Sequence, residues 1–373
     1  MQTTNKPLRK PSAINGTNKP MIIAGPCSAE TPEQVMATAR SLAADGRVNY
    51  FRAGIWKPRT SPGSFQGIGA PGLQWLNDVR SETGLKICTE VGSEKHVEEA
   101  LKSNVDLLWI GARTVSNPFV IQEIADALRG VDIPVLVKNP LSPDIDLWEG
   151  AIKRLLQSGV KDVGAIHRGF FWWGKSHLRN QPFWHIPQEL RNRMPQLKII
   201  CDPSHIAGKR SLIPLLAQRA LEQQFNGLMI EVHPNPDQAW SDAAQQLTPN
   251  DFYALLNDLF GKHKEATSQQ LLDELRSEVD VMDEMLIWAL SSRMELATKI
   301  AMVKKDASIE PLQAQRWEQV MARVKDMAGK SGLKPLFVER LYTSIHQESL
   351  KLQNAFIDTK DINIKKEHNF VCL

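Results

Sequence analysis

The chain has 373 residues, 42% of them hydrophobic and 23% charged, with a formal net charge of +3. That balance describes a soluble globular protein, too long for one ordinary core and so expected to form two domains. It offers no global basic field for nucleic acid or membranes. No secretory pattern or long uncharged apolar run is present, and the expected location is the cytoplasm. The four cysteines, Cys27, Cys88, Cys201 and Cys372, lack CxxC spacing and read as free thiols or single ligands.

Residues 1–19 are polar and read as a loose N-terminal arm. Eight short apolar runs follow: Met21–Ala24, Tyr50–Ala53, Lys86–Thr89, Leu107–Ile110, Val135–Val137, Val163–Ile166, Lys198–Cys201 and Leu228–Val232. Most lack alternation, as strands buried on both faces do. Helix-like segments lie between them, among them Pro32–Ala44, Glu94–Ser103, Pro118–Leu128, Leu147–Gln157 and Leu212–Gln223, with a closing helix at Gln245–Phe260. This alternation predicts an α/β fold, a (β/α)8 TIM barrel over residues 20–262, with a doubly wound open sheet as the rival.

Residues 263–270 read as a linker, and the composition then changes. Leu271–Lys305 has no Pro or Gly, and apolar residues recur at helical spacing from Leu272 to Val303. A helix of that length spans roughly 50 Å, too long to bury against one small partner. Pro311–Met327 and Pro335–Phe356 predict two further helices, so residues 271–356 form a small all-α three-helix domain. Residues 357–373 read as a polar tail.

Catalytic groups of a barrel lie at the C-terminal ends of its strands. The loop Lys57-Pro58-Arg59-Thr60-Ser61-Pro62-Gly63-Ser64-Phe65-Gln66-Gly67-Ile68-Gly69 follows the second run, and its cations, hydroxyls and glycines suit a phosphate. Arg52, Lys57, Arg59, Arg113, Lys138 and Arg168 all fall at strand ends, where like charges repel unless a strongly anionic ligand sits among them. Two phosphates and a carboxylate would satisfy them. Cys27, His205, Glu231 and Asp242 offer a thiolate, an imidazole and two carboxylates from separate strands. That mixture is unlike a closed structural zinc site and suits an exchangeable divalent ion. His167 and His233 read as groups that orient a neighbour or bind nothing, and Glu90 falls at the same end without a role.

The segments Gly25-Pro26-Cys27-Ser28, Lys57-Pro58-Arg59-Thr60-Ser61, Gly111-Ala112-Arg113, Asp202-Pro203-Ser204-His205 and Glu231-Val232-His233-Pro234, with Ser241-Asp242, closely resemble 3-deoxy-D-arabino-heptulosonate 7-phosphate (DAHP) synthase of the short microbial type I subfamily. The resemblance implies condensation of phosphoenolpyruvate with erythrose 4-phosphate, the first step of the shikimate pathway. It implies that Cys27, His205, Glu231 and Asp242 hold a divalent metal, Mn2+ ahead of Co2+, Fe2+ or Zn2+. It places phosphoenolpyruvate on Arg52, Lys57, Arg113, Lys138 and Arg168, and either Lys57 or a metal-bound water would be the proton donor. Arg59, Thr60 and Ser61 would take the phosphate of erythrose 4-phosphate, with Asp202 near its hydroxyls. The sister enzyme that makes 3-deoxy-D-manno-octulosonate 8-phosphate carries a loop resembling Lys-Ala-Asn-Arg-Ser, and Lys-Pro-Arg-Thr-Ser argues against it.

In the helical domain Arg293 falls on the apolar stripe, where a charge needs an anionic partner. Lys304 lies about three turns on, on nearly the same face, whereas Arg276 is turned roughly 100° from Arg293. One straight helix does not aim both arginines at one point, and a second copy would supply one of them. Ser349 and Gln353 are i, i+4 neighbours. The set resembles the all-helical chorismate mutase family, through Leu275-Arg276, Arg293-Met294-Glu295-Leu296-Ala297, Lys304, Arg316 and Glu348-Ser349 to Gln353. The resemblance implies a homodimer, or a higher homo-oligomer, exchanging long helices and converting chorismate to prephenate. Arg276, Arg293 and Arg316 would bind the carboxylates, and Lys304 and Gln353 the breaking ether oxygen, with Ser349 beside them. Trp317 and Gln313 stand where many relatives carry acidic residues. A second reading follows: a synthase whose helical domain binds prephenate or chorismate for regulation and dimerisation. No nucleic-acid or membrane partner is expected.

Overall fold

The computed structural model describes residues 20–260, apart from Thr60, Pro62, Gly174, Lys175 and His177, and residues 268–358, apart from Ser308; the side chains at 268–271, 273–275, 277, 278, 281 and 358 are not described. The expected N-terminal arm, most of the linker and most of the C-terminal tail lie outside these residues. The chain divides into two compact units, Met1–Glu265 and Ala266–Leu373.

In the first unit eight parallel strands close into a barrel in sequence order. They are β1 Met21–Gly25, β2 Tyr50–Arg52, β3 Lys86–Val91, β4 Leu107–Ile110, β5 Val135–Lys138, β6 Val163–His167, β7 Lys198–Cys201 and β8 Gly227–Glu231. β1 pairs with β8 over its whole length, Met21 against Gly227 through Gly25 against Glu231, and this closure rules out the open sheet. Ile23, Cys88, Leu107, Trp109, Leu136, Ile166, Ile200 and Met229 fill the interior as one buried cluster. Helices α1 Pro32–Asp45, α2 Pro71–Thr83, α3 Glu94–Lys102, α4 Pro118–Ala127, α5 Ile145–Gln157, α6 His185–Arg193, α7 Pro203–Ala207, α8 Ile213–Glu222 and α9 Pro249–Phe260 complete the unit. Five begin at side-chain caps that meet otherwise orphaned N–H groups: Thr31, Ser93, Asn117, Asp144 and Asp202. The closing helix starts four residues later than its apolar pattern suggests, because Ala243–Gln245 form a 3-10 turn at the barrel mouth.

The second unit holds α10 Ser268–Asp306, α11 Ala314–Lys330 and α12 Pro335–Asp358. Val324, Ala328 and Val338 form a small core with Val320, Met321 and Tyr342 packed on it. α11 runs through Gly329 to Lys330, three residues beyond the expected end at Met327, and Gly332 (φ 71°) follows its end. Along α10, Val279, Leu286, Ile287, Trp288, Leu296, Ile300 and Val303 are all exposed. Among the described residues no helix is long and apolar enough to cross a membrane.

Candidate active sites

At the C-terminal end of the barrel, Lys57, Arg59, Arg113, Lys138 and Arg168 line one solvent-open cavity, together with Glu90, Arg179, His205 and Asp242. Arg52, the sixth expected cation, does not line it. Its side chain is 1% exposed, with Nη2 3.2 Å from Glu231 Oε1 and the guanidinium 5.0 Å from the centre of the Trp109 ring. Its Nε and Nη1 have no hydrogen-bond partner among the described residues. Arg168 is buried, and burial, with Arg179 and Arg113 nearby, lowers its pKa to about 10, so it stays cationic at neutral pH. Its position is set by Asn139, whose Oδ1 accepts from Arg168 N at 2.7 Å, and by Asn180, whose Oδ1 accepts from Arg168 Nη1 at 2.7 Å.

The loop after β2 folds back on itself. Lys57 N donates to Gln66 O at 2.9 Å, and Arg59 Nε to Phe65 O at 3.0 Å. Phe65 meets Trp240 edge-on, ring centres 5.2 Å apart, which ties this loop to the one after β8. Gly54 makes room for Lys57: a Cβ there would lie 2.7 Å from Lys57 Nζ and 2.8 Å from Cys27 O. Ser61 is exposed, and Thr60 lies outside the described residues.

Cys27, Glu231 and Asp242 each bring one donor atom within 4.8 Å of the others. His205 Nε2 lies 3.8 Å from Glu231 Oε1 and 3.8 Å from Asp242 Oδ2. The structure thus brings Cys27, Glu231 and Asp242 together and sets His205 beside the two carboxylates. Burial, reinforced by the Glu231 charge, pushes the Cys27 thiol up to about 12. Burial opposes ionisation of Glu231 and Asp242 as well, yet neighbouring groups hold both carboxyls below their ordinary values, His205 and the Arg52 guanidinium for Glu231 and His205, the Arg179 guanidinium and the Lys57 ammonium for Asp242. Glu231 Oε1 is buried and accepts no well-aligned hydrogen bond among the described residues, its neighbour being Arg52 Nη2 at 3.2 Å. A buried carboxylate oxygen held only by the Arg52 charge, and facing a thiol, an imidazole and a second carboxylate, fits a divalent cation. Asp242 itself sits at φ 50°, a left-handed conformation uncommon for a non-glycine residue.

One expected residue lies elsewhere. Asp202 is wholly buried, its Oδ2 3.0 Å from Lys138 Nζ and 2.8 Å from His205 Nδ1, while its Oδ1 accepts from His205 N at 3.1 Å. It caps α7 and orients Lys138 and His205. His167 is buried among Trp148, Phe170, Trp184 and Phe225 and held neutral by that burial, its pKa lowered to about 3. His233 accepts from Asn235 N at Nδ1 (3.0 Å) and turns Nε2 to Glu30 Oε2 at 3.4 Å. Sequence reasoning missed Arg179, Gln245 and Gln246. Cys27 N donates to Gln246 Oε1 at 2.9 Å, and Gln245 Nε2 to Glu231 Oε2 at 2.7 Å. None of the three stands next to a strand end, the only signal used to select mouth residues.

In the helical unit Arg293 Nη1 donates to Ser349 Oγ at 2.6 Å, and Lys304 Nζ to Gln353 Oε1 at 3.2 Å. These bonds bring four expected residues together between α10 and α12. Ser349 and Gln353 are buried, and burial lowers the Lys304 pKa. Arg316 lies exposed on α11 and donates to Gln319, and Arg276 lies exposed near the start of α10. Trp317 stacks on His346, ring centres 4.1 Å apart.

The barrel and its mouth define a (β/α)8 enzyme whose active end is lined by cations. A family model described as the DAHP synthetase I family matches residues 3–267, and one described as chorismate mutase type II matches residues 275–354. The chain is similar to the phospho-2-dehydro-3-deoxyheptonate aldolase of Thermotoga maritima, with 32% identity over 64% of this chain and 68% of that protein. It is also similar to the 2-dehydro-3-deoxyphosphooctonate aldolase of Polaromonas naphthalenivorans, with 29% identity over 65% of this chain and 90% of that protein. A crystal structure of the DAHP synthase of Thermotoga maritima superposes with a TM-score of 0.58 at 30% identity, covering 68% of this chain and 69% of that one. The chain belongs to the DAHP synthetase I family and carries a chorismate mutase type II domain behind its barrel. It is a bifunctional shikimate-pathway enzyme with both of these activities.

Proposed function

We propose that the barrel condenses phosphoenolpyruvate with erythrose 4-phosphate, in a metal-dependent reaction, and that the helical unit converts chorismate to prephenate as a dimer. The observation that carries the first part is the juxtaposition of six cations in one cavity with Cys27, Glu231, Asp242 and the adjacent His205. Arg113, Lys138 and Arg168 bind the phosphate and carboxylate of phosphoenolpyruvate, and Arg52 acts from below through its unpartnered Nε and Nη1. Arg59, Thr60 and Ser61 hold the phosphate of the aldose. A divalent ion held by Cys27, His205, Glu231 and Asp242, with Mn2+ the expected native metal, supplies Lewis acidity at the aldehyde oxygen. A carbon–carbon bond then forms between C3 of phosphoenolpyruvate and the aldehyde carbon, and Lys57 Nζ gives a proton to the nascent alkoxide. Water adds at C2, and the C–O bond to phosphate breaks. Several relatives act by name on the octulosonate, but Lys57-Pro58-Arg59-Thr60-Ser61 favours the four-carbon aldose.

In the helical unit Arg293 with Arg276 and Arg316 takes the two carboxylates. Lys304 and Gln353 meet the ether oxygen as negative charge develops there. The exposed apolar face of α10 and the roughly 100° offset of Arg276 from Arg293 support a dimer in which one arginine comes from the second copy. We infer also that ligand binding to the helical unit regulates the barrel, in a cytoplasmic enzyme. The test is to assay both reactions on purified protein, before and after chelation and with and without prephenate. Synthase activity is expected to vanish on chelation and return with Mn2+, mutase activity to survive chelation, and prephenate to inhibit the synthase. Synthase turnover that persists without divalent metal would sink the metal assignment.

A further inference from the structure

Each carboxylate of the four-donor set offers one oxygen inward and has the other tied down. Asp242 turns Oδ2 toward Cys27 Sγ (3.3 Å) and His205 Nε2 (3.8 Å), while its Oδ1 accepts from Arg179 Nη1 at 3.0 Å. Glu231 turns Oε1 toward His205 Nε2 at 3.8 Å, with the buried Arg52 Nη2 behind it at 3.2 Å, while its Oε2 accepts from Gln245 Nε2 at 2.7 Å. The two anchors are joined to each other, since Arg179 Nη1 also donates to Gln245 Oε1 at 2.5 Å. The segment around Arg179 is tied in turn to the helix bearing His205. Arg179 N donates to Ile206 O and Ala207 O, and Asn180 Nδ2 to His205 O at 2.6 Å. Gly208 lets this segment pass, because a Cβ there would lie 2.5 Å from Arg179 Cβ.

We propose that Arg179 and Gln245 are positioning residues, a clamp that fixes Glu231 and Asp242 so that their inner oxygens converge before a metal arrives. The proposal rests on the reading of the four-donor set as a divalent-metal site. A carboxylate has two equivalent oxygens and turns freely; pinning one leaves a single, directed ligand. The guanidinium also offsets charge, since a thiolate and two carboxylates outweigh the charge of a divalent ion. Neither residue reaches inward as a ligand. They act through the carboxylates they hold.

Partners that orient metal ligands typically change metal affinity by roughly 10–100-fold when removed. The full chain, stripped by chelation, is titrated with Co2+ by calorimetry and by the thiolate-to-cobalt charge-transfer absorption. Arg179→Leu and Gln245→Leu are each expected to weaken Co2+ binding by roughly 10–100-fold, with the band recovered at saturation and the metal-free unfolding midpoint unchanged. The double variant is expected to bind no more weakly than the worse single one, because both act through one network. Arg179→Lys, which keeps a cation for Asp242, recovers part of the loss. Affinity within twofold of the parent for both leucine variants overturns the proposal. So does unchanged affinity with a raised KM for phosphoenolpyruvate in Arg179→Leu, which would make Arg179 a substrate contact. Should the fully buried Gln245 not tolerate leucine, the Arg179 variants decide alone, since that side chain is 42% exposed. A parent chain that binds no Co2+, or binds it without the thiolate band, fails the metal reading itself and the clamp with it; failure of the clamp alone leaves a parent that binds normally.

Discussion

Cys27 shows how one side chain carries opposite demands. Burial pushes its thiol up to about 12, yet a metal ligand must be the thiolate. Metal binding therefore releases a proton from Cys27 at every pH below that value. His205 is held neutral by burial, with Asp202 only partly opposing, and Glu231 and Asp242 are already ionised, so none of these adds a proton near neutrality. Apparent metal affinity is expected to rise about tenfold per pH unit between roughly pH 6.5 and 8.5 and to fall as pH is lowered. Titrations at three pH values check this, and Cys27→Ser should flatten the slope. Arg59 is expected to bear a different load, because in the proposed reaction it meets the aldose phosphate alone. Losing one charge-assisted contact costs about 1.5–3 kcal/mol, so Arg59→Ala should raise KM for erythrose 4-phosphate by roughly 10–100-fold. KM for phosphoenolpyruvate should stay within about threefold, and an equal rise in both would show that the loop does not divide the substrates.

Among elements, β1 and the loop after it are the hub of the barrel mouth. Gly25 ends the strand at φ 147°, and a Cβ there would lie 2.1 Å from Arg52 O. That backbone contact sets how closely Cys27 approaches Arg52 and Glu231. Gly25→Ala is expected to cost at least about 3 kcal/mol in chemical denaturation, combining a strained dihedral with a clash that no side-chain rotation relieves. Gly46→Ala is the control: its φ is 71°, nothing lies within 4 Å, and only about 1–2 kcal/mol is expected. Ser28 bonds to Ser241, and Trp240 N donates to Glu30 Oε1 at 2.8 Å, so the same loop holds the segment that carries Asp242. The strands were legible because parallel strands buried on both faces are continuous apolar runs, as in Leu107–Ile110. α2 and α6 were not among the helices the sequence picked out. Their mean patterns are polar, and each starts without a side-chain cap.

For the molecule as a whole, the two units fall on either side of residue 265, in agreement with a change of composition near residue 270. α10 has 39 residues and a long exposed apolar face, far more than its own unit covers. A chain ending after residue 265 is expected to assemble less and to lose synthase activity, measured by sedimentation and steady-state assay. Full activity with unchanged assembly would contradict any coupling between the units.

By itself, the sequence determined what is local or repetitive. The eight-fold alternation, the strand-end cations and the four ligand types follow from runs of a few residues, and the barrel rule places whatever stands at a strand end at the mouth. Only the tertiary structure decided which of those groups share a partner. Asp202 and His205 look like two independent site residues in the chain, but the fold buries one to orient the other. Arg179 and Gln245 are 66 residues apart and meet over the metal donors only because the barrel closes. The reason is physical: a ligand type is a property of one residue, whereas the direction in which its lone pair points is set by neighbours that are distant along the chain.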